Sequence, residues 1–389
     1  MRVLHFSNKP AFPLRDGGCI AIKSILQSLL SDPEIKISHF TISTPKHPFS
    51  EESYPEKWRK NMQLDHFHID TKTNWLDAGI QLLKNKSYNV TRFYSKKLEI
   101  ELEKRVKKET FDLIIMESIY LLPYLRVFKN NGIKVVLRAH NVEHEVWGQL
   151  AENQTNFIYK KYYTTLARQL KEFEVKKIKE VDALLAITTR DLEKLSIYLR
   201  QQPRMTLPTG VNTNYLTPHY SMKDFYFLGA MDWQPNKQGV DWLIKKVLYN
   251  NDLPEKVNLA GKSLDPKINF GDAIVNHGEV KNAKQFIDNH GICLIPLKSG
   301  SGLKIKLLEN MAMAKPIIST SEGAKGVHVK HNKHLIIADD PDKFYQAMRL
   351  LSEDMEKRKE LGKAAQSFVI DNFDEEKIAK KLIEFISHI

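Results

Sequence analysis

The sequence predicts an α/β protein with two doubly wound parallel sheets, and three observations support this prediction. Short apolar runs alternate with longer amphipathic ones, which is typical of parallel strands covered by helices on both faces. The alternation occurs in two series, separated by an irregular segment at residues 201–218. The chain of 389 residues is also long for a single hydrophobic core and suits two domains.

In the first half, continuous apolar runs predict strands at residues 2–6, 36–42, 112–116, 133–139 and 183–187. Helices are predicted between them, from Gly18, over 96–108 and over 156–180. In the last of these helices, apolar residues recur at spacings of three and four. This spacing predicts one apolar face, which is formed by Tyr159, Tyr163, Leu166, Leu170 and Phe173.

The second half repeats the pattern, with strands predicted at residues 225–229, 256–261, 291–297, 316–320 and 335–339. Helices are predicted after Pro235, Leu303 and Pro341, and the last segments, 340–372 and 374–388, are helical in pattern. The joint at 201–218 is rich in Pro, Thr and Asn and lacks helical periodicity, as expected of a linker. These patterns predict domains at 1–205 and 206–370, followed by a C-terminal segment at 371–389.

The charge is strongly positive and unevenly distributed. The net charge is +12 and the isoelectric point about 9.3. Residues 1–200 hold 33 Lys and Arg against 24 Asp and Glu, a balance of +9, whereas residues 201–389 hold 26 against 23, a balance of +3. A basic first half indicates either an anionic partner or simply a soluble basic surface. Because no zinc-finger, RNP or KH motif is present, nucleic acid is not the expected partner.

The compartment expected from the sequence is the cytoplasm. Cys19 and Cys293 lie far apart, so they form neither a metal-ligand pattern nor a disulfide framework. The N-terminal residues do not resemble a signal peptide, and no apolar run approaches the length of a membrane span. Peripheral attachment to the inner membrane through the basic first half is compatible with these observations.

Ligands of doubly wound sheets bind beyond the carboxyl ends of the strands. This rule selects four loops, at residues 7–18, 139–147, 229–239 and 298–304. If the two domains face each other, these loops border a central cleft. The loop at 229–239 contributes Gly229 and Asp232 to the predicted ligand site.

The segment SGSGLKIKLLE at 299–309 is the most informative of these regions. Gly300 and Gly302 flank Ser301, which lets the backbone approach a ligand closely. A helix is predicted directly after this loop, with two lysines in its first turn, Lys304 and Lys306. Because a helix N-terminus already carries positive potential, these lysines suit a site that receives an anion such as a diphosphate. An ordinary solvated helix start is the alternative.

Other polar residues at the strand ends have candidate roles. Glu309, two turns into the predicted helix, has the oxygens to bind ribose hydroxyls or, alternatively, forms a surface pair with Lys306. His140 follows a buried strand and suits proton handling at a reacting centre, although a buried structural histidine is the alternative. No third or fourth ligand accompanies His140 and His144, so no metal site is expected.

These segments together resemble the retaining GT-B glycosyltransferases of family 4 (glycosyl transferases group 1). The similarity extends over nearly the whole chain and rests on the order of DGG at 16–18, AHNVEHEVW at 139–147, PTGVNTNYLTP at 208–218, FLGAMDWQPNKQGVDWL at 227–243 and GSGLKIKLLENMAMAKPII at 300–318. The resemblance implies a GT-B fold, with an acceptor-binding N-terminal domain and a C-terminal domain that binds the nucleotide sugar. It further implies that the C-terminal helix crosses back to the first domain.

The resemblance also implies roles for individual residues. His140 would lie beside the transferred sugar, and Gly17 and Gly18 would face the donor phosphates. The amides from Gly302 through Leu303 to Lys304 would hold the diphosphate, and Glu309 the ribose. No metal or other cofactor would be needed beyond a nucleotide-sugar co-substrate such as a UDP- or GDP-sugar.

The sequence departs from the family pattern in two places. Ser301 stands where the family usually has the first of two glutamates, a residue that contacts the sugar. The usual Arg and Lys phosphate clamp at the start of the second domain is also unclear, since that region offers only Lys237. Our hypothesis is that Lys304 and Lys306 replace part of this clamp.

The expected function is therefore a hexosyltransferase that acts on a glycan or lipid-linked acceptor in polysaccharide or envelope biosynthesis. Two alternatives remain at this stage, a non-catalytic GT-B partner subunit and a nucleotide-sugar epimerase of similar fold. A Rossmann oxidoreductase is disfavoured because the glycine fingerprint of dinucleotide-binding domains is absent from the sequence.

Overall fold

The computed structural model describes residues 1–215, 220–249, 251–253, 255–300 and 302–389. It divides the chain into two compact units. Unit 1 comprises Met1–Thr209 and Ile378–Ile389, and unit 2 comprises Gly210–Lys377. The change from one unit to the other thus falls four residues after the boundary expected at 205, and the last twelve residues belong to the first unit.

Unit 1 is built on a seven-stranded parallel sheet with the order β3-β2-β1-β4-β5-β6-β7. This order, which extends in both directions from β1, is that of a doubly wound sheet. Its strands are β1 (Arg2–Ser7), β2 (Lys36–Ser43), β3 (Met62–His68), β4 (Leu113–Glu117), β5 (Lys134–Ala139), β6 (Ala183–Ala186) and β7 (Arg204–Thr206).

Helices of unit 1 cover this sheet. They are α1 (Gly17–Leu30), α2 (Glu56–Asn61), α3 (Trp75–Leu83), α4 (Tyr88–Thr91), α5 (Lys96–Lys108), α6 (Leu125–Lys129), α7 (Glu143–Glu152), α8 (Phe157–Lys177) and α9 (Thr189–Ser196). Shorter 3₁₀ turns lie at Glu51–Ser53, Ile119–Tyr124 and Ile178–Glu180.

One face of the first sheet packs against α1 and the C-terminal helix. One apolar cluster contains Val3, Ile115 and Val136 from neighbouring strands, together with Ile22 of α1 and Leu382 near the C-terminus. Because side chains alternate along a strand, the residues two and four places later continue along this same face toward the carboxyl ends. This apolar layer therefore leads directly into the polar cluster described below.

Unit 2 contains a second parallel sheet, of six strands among the described residues, with the order β10-β9-β8-β11-β12-β13. Its strands are β8 (Phe225–Leu228), β9 (Val257–Ala260), β10 (Ile274–Asn276), β11 (Ile292–Ile295), β12 (Ile317–Ser319) and β13 (Ile336–Ile337). The helices of this unit are α10 (Gln234–Trp242), α11 (Ala283–Asp288), α12 (Ile305–Ala312), α13 (Ser321–Ala324), α14 (Pro341–Glu353) and α15 (Met355–Asn372), with a π-helical turn at Leu243–Val247. The last helix, α16 (Glu375–Ser387), begins in unit 2 and belongs from Ile378 onward to unit 1.

The predicted class of fold is confirmed, because both units are α/β layers around parallel sheets. Every strand that the sequence predicted is present, but three strands were missed: β3, β7 and β10. Each of the three is the outermost strand at one end of its sheet and is only partly buried. The linker expected over 201–218 is corrected accordingly, because its first part forms β7 within the sheet of unit 1.

The apolar face predicted for 156–180 is only partly correct. In α8, Leu166 and Leu170 are buried and Tyr163 and Phe173 are partly covered, whereas Tyr159 is exposed. The helix therefore packs against the protein through its middle, and Tyr159 in its first turn is exposed to solvent. The two cysteines are free and buried, as their apolar surroundings suggest.

Candidate functional site

The loop between β11 and α12 brings the predicted glycine and lysine residues together in unit 2. Gly300 and Gly302 have φ angles of 127° and 72°, which side chains with a Cβ rarely adopt. Lys304 occupies the N-cap position of α12, and its side chain makes no capping hydrogen bond to the helix. The glycines therefore turn the chain sharply, so that the N-terminus of α12 follows directly on the strand end.

Lys304 is placed differently from our expectation. It lies before the helix rather than in the first turn, because its backbone is extended, with φ −87° and ψ 91°. Its Nζ turns back and donates to the carbonyl oxygens of Gly300 and Gly302, at 2.9 and 3.0 Å. Burial lowers the pKa of Lys304 to about 8, although the charge of Glu322 partly opposes this effect. The Lys304 side chain thus fixes the loop through these two hydrogen bonds, while burial disfavours its charged form.

Lys306 lies in the first turn of α12, as predicted. Its Nζ donates to Asn236 Oδ1 at 2.8 Å and lies 4.5 Å from the centre of the Phe227 ring. Burial lowers its pKa to about 8. Both of these partners are neutral, so the hydrogen bond and the aromatic face stabilise the ammonium without cancelling its charge.

Gly229, at the end of β8, makes room for this lysine. A Cβ at Gly229 would lie 2.7 Å from Lys306 Nζ and 2.8 Å from Asn236 Nδ2. Asn236 is itself fixed, because its Nδ2 donates to the carbonyl oxygen of Ala230 at 2.8 Å. The segments that follow β8 and β11 therefore meet at Lys306. Gly229 is required because the side chains of Lys306 and Asn236 approach its Cα closely, and not because of its backbone angle.

The remaining residues predicted for the donor site have less direct contacts. Glu309 is exposed on α12, and the side chain of Leu303 packs against the apolar core, so any ligand contact of Leu303 would come from its backbone. Asp232 is exposed and lies 4.0 Å from Lys262 Nζ. Ser301 lies outside the described residues, and its role stays a prediction.

This arrangement in unit 2 can bind an anion. Two ammonium groups with pKa values near 8 stand at the N-terminal end of α12, where the helix dipole also favours negative charge. An anion at this position would hold both lysines in the protonated form and raise their pKa values. The unfavourable burial of two cations is thereby offset in the bound state.

In unit 1, the structure centres on a carboxylate that the sequence did not single out. Glu117, the last residue of β4, is fully buried and accepts hydrogen bonds from three side chains. The distances are 3.0 Å to His5 Nε2, 3.1 Å to Arg138 Nη1 and 2.5 Å to His140 Nε2. Arg138 Nη1 also donates to the carbonyl oxygen of Ala21 in α1.

A chain of hydrogen bonds continues from this carboxylate into the interior. His5 Nδ1 lies 3.0 Å from His39 Nδ1, and His39 Nε2 lies 3.2 Å from the hydroxyl of Tyr54. The strand register explains this order, because His5 is paired with His39 and Glu117 with Arg138 across neighbouring strands. All of these side chains lie on the sheet face that carries the apolar layer toward α1.

The protonation states follow from these contacts. Burial opposes ionisation of Glu117, but the charge of Arg138 and the hydrogen bonds of His140 and His5 lower the pKa of Glu117 well below its usual range. Burial lowers the pKa of His140, with Glu117 opposing the shift, so the imidazole is neutral at pH 7. Since a carboxylate only accepts, the proton of neutral His140 is on Nε2 and its Nδ1 is an acceptor.

The expectation for His140 was a hydrogen-bonding or proton-handling group, with a structural histidine as the alternative. The structure places it at the end of β5, with its side chain 13% exposed and fixed by Glu117. Such a histidine can accept a hydrogen bond from a hydroxyl group at Nδ1. Its role in catalysis stays a prediction.

Gly17 and Gly18 begin α1, whose N-cap is Asp16. Asp16 accepts hydrogen bonds from Lys9 Nζ at 2.9 Å and from His47 Nε2 at 2.9 Å. Burial opposes ionisation of Asp16, but His47 and Lys9 lower its pKa below the usual range. A Cβ at Gly18 would lie 2.4 Å from Lys9 Nζ, so this glycine admits the lysine to the helix end.

Among the described residues, Asp16, Cys19 and His47 form one group with the spacing of metal ligands. The ammonium of Lys9 already lies against the Asp16 carboxylate, where it would repel a cation. Burial and the charge of Asp16 raise the pKa of the Cys19 thiol, which disfavours the thiolate that metals bind. We therefore describe the group as a helix cap.

Several residues at these sites were missed by sequence reasoning, namely His5, Lys9, Asp16, His39, Glu117, Arg138 and Asn236. A signal existed for two of them, because Glu117 and Arg138 are charged residues that end or interrupt runs of buried strand residues. The others became recognisable only when strand register and loop packing placed them together.

Comparison with known proteins identifies the second unit. Residues 222–354 match the family model of glycosyl transferases group 1. The unit therefore carries a glycosyltransferase domain, and the expected class of enzyme, a glycosyltransferase, is confirmed. The lysine pair of α12 and the loop after β8 both lie within the matched residues.

Over a longer stretch, the chain is similar to a protein of Klebsiella pneumoniae described as an uncharacterized 44.6 kDa protein in the cps region. The two are 25% identical over 306 residues, which cover 74% of this chain and 76% of the relative.

Solved structures resemble the whole chain. Anabaena Alr3699/HepE, in complex with UDP and glucose, superposes with a TM-score of 0.68 at 12% identity and full coverage of both chains. A variant of S. aureus TarM in complex with fondaparinux, α-GlcNAc-glycerol and UDP gives 0.70 at 11% identity, with 99% of both chains covered. The lipopolysaccharide outer core galactosyltransferase WaaB gives 0.63 at 13% identity, covering 100% of this chain and 99% of WaaB. These likenesses confirm the expected GT-B class of fold.

Proposed function

We propose that this protein is a retaining, metal-independent glycosyltransferase. It transfers a hexose from a nucleotide diphosphate sugar, such as a UDP- or GDP-sugar, to a glycan or lipid-linked acceptor in polysaccharide or envelope biosynthesis. No cofactor other than this co-substrate takes part. The observation that carries the proposal is the pair Lys304 and Lys306 at the start of α12, inside the residues that match the glycosyltransferase model.

The lysine pair supplies the electrostatic part of the reaction. As the bond between the anomeric carbon and the diphosphate breaks, negative charge accumulates on the leaving phosphate oxygens. Ammonium groups and helix N–H groups that are already in place stabilise this charge without rearrangement. Backbone amides of Gly302, Leu303 and Lys304 bind the diphosphate, while Glu309 binds the ribose and Asp232 and Gly229 border the donor.

The proposed transfer occurs on one face of the sugar. The bond from the anomeric carbon to the diphosphate oxygen breaks, and a bond from that carbon to the acceptor hydroxyl oxygen forms on the same face. The hydroxyl proton passes to the departing diphosphate, so atoms and charge balance. Unlike in a glycosidase, no carboxylate pair is required.

The proposal for unit 1 is that it binds the acceptor. Neutral His140 accepts a hydrogen bond at Nδ1 from a sugar hydroxyl, and Glu117 keeps the imidazole in this tautomer. Gly17 and Gly18 face the donor phosphates. The positive balance of the first half favours an acceptor that carries phosphate, such as a lipid-linked glycan.

Calorimetric titration with a panel of UDP-, GDP- and ADP-sugars tests the donor part of the proposal. We expect one nucleotide to bind and its sugar form to be hydrolysed slowly, with release of the diphosphate. Substitution of Lys304 by Ala should then abolish most of the turnover. Full turnover in this variant would contradict the role of the lysine pair.

Product analysis tests the stereochemistry and the metal independence. NMR of the transferred sugar should show the same anomeric configuration as the donor, and saturating EDTA should leave the rate unchanged. Inverted configuration, or loss of activity with EDTA and recovery with a divalent ion, would refute these two parts. A protein that binds a nucleotide sugar but never turns it over would instead fit a non-catalytic partner subunit.

A further inference from the structure

Helix α3 of unit 1 carries an apolar face that points into solvent. Leu76, Ile80 and Leu83 follow the spacing of one helix face and are 82%, 47% and 91% exposed. Ala78, on the opposite side of the helix, is buried against the protein. The sequence of α3 is therefore apolar on both sides, and only one of the sides is covered.

The first turn of α8 exposes a second group of apolar side chains. Phe157 and Ile158 are each 76% exposed, and Tyr159 beside them is also exposed. The preceding helix, α7, packs along α8 and exposes Leu150 near its own end. The tip of this helical hairpin therefore presents large apolar side chains to solvent.

The two surfaces belong to one packed layer. Ala78 of α3, Tyr88 of α4 and Leu166 of α8 form a common apolar cluster. Gln169 of α8 donates from Nε2 to the carbonyl oxygen of Leu82, at the end of α3. These contacts hold the inner side of α3 against the middle of α8. We refer to Leu76, Ile80, Leu83, Phe157 and Ile158 as the apolar patch.

Exposed lysines accompany the apolar patch. The segments 72–86 and 157–161 contain one acidic residue, Asp77, whose Oδ1 accepts a hydrogen bond from Gln81. Two further carboxylates contact the first segment, since Asp70 accepts from the backbone of Lys72 and Glu172 accepts from Asn85. Lysines outnumber these acids, and we refer to the five exposed ones as the lysine rim: Lys72, Lys84, Lys86, Lys160 and Lys161.

We infer that the apolar patch and its lysines form a docking surface for an anionic lipid bilayer. Exposed apolar side chains on a helix enter the boundary between headgroups and acyl chains, and lysines beside them attract acidic headgroups. A neutral protein partner would not need the lysine rim, and an acidic one would not need so much exposed apolar area. No helix among the described residues is both long and apolar enough to cross a bilayer.

Lipid docking goes beyond the proposed transferase activity and is measured independently of it. Sedimentation with vesicles reports docking, whereas release of the diphosphate from the nucleotide sugar reports catalysis in solution. The double variant Leu76→Glu with Leu83→Glu removes apolar contacts at exposed positions and should fold normally. Its matched control is Ile197→Glu, at a residue of unit 1 that is 73% exposed outside the patch.

The wild-type protein and the Ile197→Glu control should sediment with vesicles of phosphatidylglycerol and phosphatidylethanolamine. The double variant should lose at least about tenfold in partitioning, with donor hydrolysis unchanged, because each charge near the surface contributes about fivefold. Equal partitioning of the double variant and the control would overturn the inference. So would failure of the wild-type protein to bind these vesicles.

The contribution of the lysine rim to membrane binding is measured separately. Replacement of Lys160 and Lys161 by Glu should weaken partitioning into the anionic vesicles by at least about tenfold. Added salt should likewise weaken the partitioning of the wild-type protein into these vesicles. Equal binding to vesicles of phosphatidylcholine alone would overturn the electrostatic part. A wild-type dimer that dissociates in the Leu76→Glu, Leu83→Glu variant would assign the patch to contact between copies and would also overturn the inference.

Discussion

The two units handle buried charge in opposite ways. In unit 1, the carboxylate of Glu117 is balanced by the charge of Arg138 and receives hydrogen bonds from His5 and His140, while Nε and Nη2 of Arg138 are buried without a hydrogen-bond partner. In unit 2, the ammonium of Lys306 has a neutral amide and an aromatic ring as partners, and its pKa is about 8. The carboxylate of the first arrangement therefore has a counter-ion inside the protein. The second arrangement would be stabilised further by a bound anion.

This difference separates structure from function in physical terms. A charge that is paired inside the protein contributes to a fixed arrangement, and its loss disturbs folding. A desolvated charge whose hydrogen-bond partner is neutral, such as Lys306, lowers the stability of the free protein and favours binding of the opposite charge. Substitution of Glu117 should therefore mainly affect folding, and substitution of Lys306 should mainly affect ligand binding.

The largest effect is expected at Glu117. Replacement by Leu removes the carboxylate and leaves Arg138 buried without its counter-ion, which should lower the free energy of unfolding by about 3–5 kcal/mol. Urea denaturation measures this loss. The matched control is Glu56→Gln, which breaks an exposed pair with Lys60 and should be nearly neutral. Similar values for both variants would contradict the assignment of a buried, interdependent cluster.

Replacement of Lys306 by Met should have the next largest effect, and on binding rather than folding. Loss of one charge-assisted contact should weaken binding of the nucleoside diphosphate by about ten- to a hundredfold. The free energy of unfolding should stay the same or rise, because a partly desolvated cation is removed. Calorimetry and urea denaturation measure the two quantities.

Lys237→Met is the matched control for this experiment, since Lys237 lies exposed on α10 of the same unit. It was the only basic residue that the sequence offered for a phosphate clamp in the loop after β8. Unchanged affinity in Lys306→Met, or an equal loss in Lys237→Met, would contradict the role of α12.

A methyl group at Gly229 should disturb the lysine indirectly. In Gly229→Ala the new Cβ would approach Lys306 Nζ and Asn236 Nδ2 to 2.7 and 2.8 Å, so both must move. We expect a loss of about 1–3 kcal/mol in the free energy of unfolding, together with weaker diphosphate binding. Gly148→Ala, which has open space around its Cβ and lies in α7, should be neutral or stabilising by the same measurements. Wild-type behaviour of Gly229→Ala would contradict the close packing of this loop.

The pH dependence of stability should show a smaller effect than the substitution of Glu117. Between pH 8 and 10 the unfolded chain holds a proton on Lys306 that the folded protein releases, because the folded pKa is about 8 and that of an ordinary lysine is 10.5. Stability of the ligand-free protein should therefore rise with pH in this window, relative to Lys306→Met, by up to about 1.4 kcal/mol per pH unit. Parallel urea-denaturation curves for the two proteins would contradict the lowered pKa.

Most of the fold was predictable because buried parallel strands are continuous apolar runs. The strands that escaped prediction lie at sheet edges, where one side is less covered and the sequence carries polar residues, as in β3 with its Asp65 and His66. Linker-like composition hid β7 for a similar reason. Local patterns therefore describe the centre of a sheet better than its ends.

The site was predictable where its residues lie close together in the sequence. The loop before α12 carries its glycines and lysines within a few residues, so their proximity follows from the sequence. The Glu117 cluster joins four strands, and its composition depends on the register that pairs His5 with His39 and Glu117 with Arg138. Asn236 was missed for the same reason, since it meets Lys306 only through loop packing.

Proton uptake on binding of UDP at pH 8 tests the central claim most directly. Calorimetry in buffers with different ionisation enthalpies measures the number of protons taken up. With pKa values of about 8, Lys304 and Lys306 are both partly deprotonated in the free protein at this pH, and a bound diphosphate should favour their protonated forms. We predict net proton uptake in the wild-type protein and clearly less in Lys306→Met. Binding without proton uptake, or equal uptake in the two proteins, would contradict the claim that this lysine pair receives the donor diphosphate.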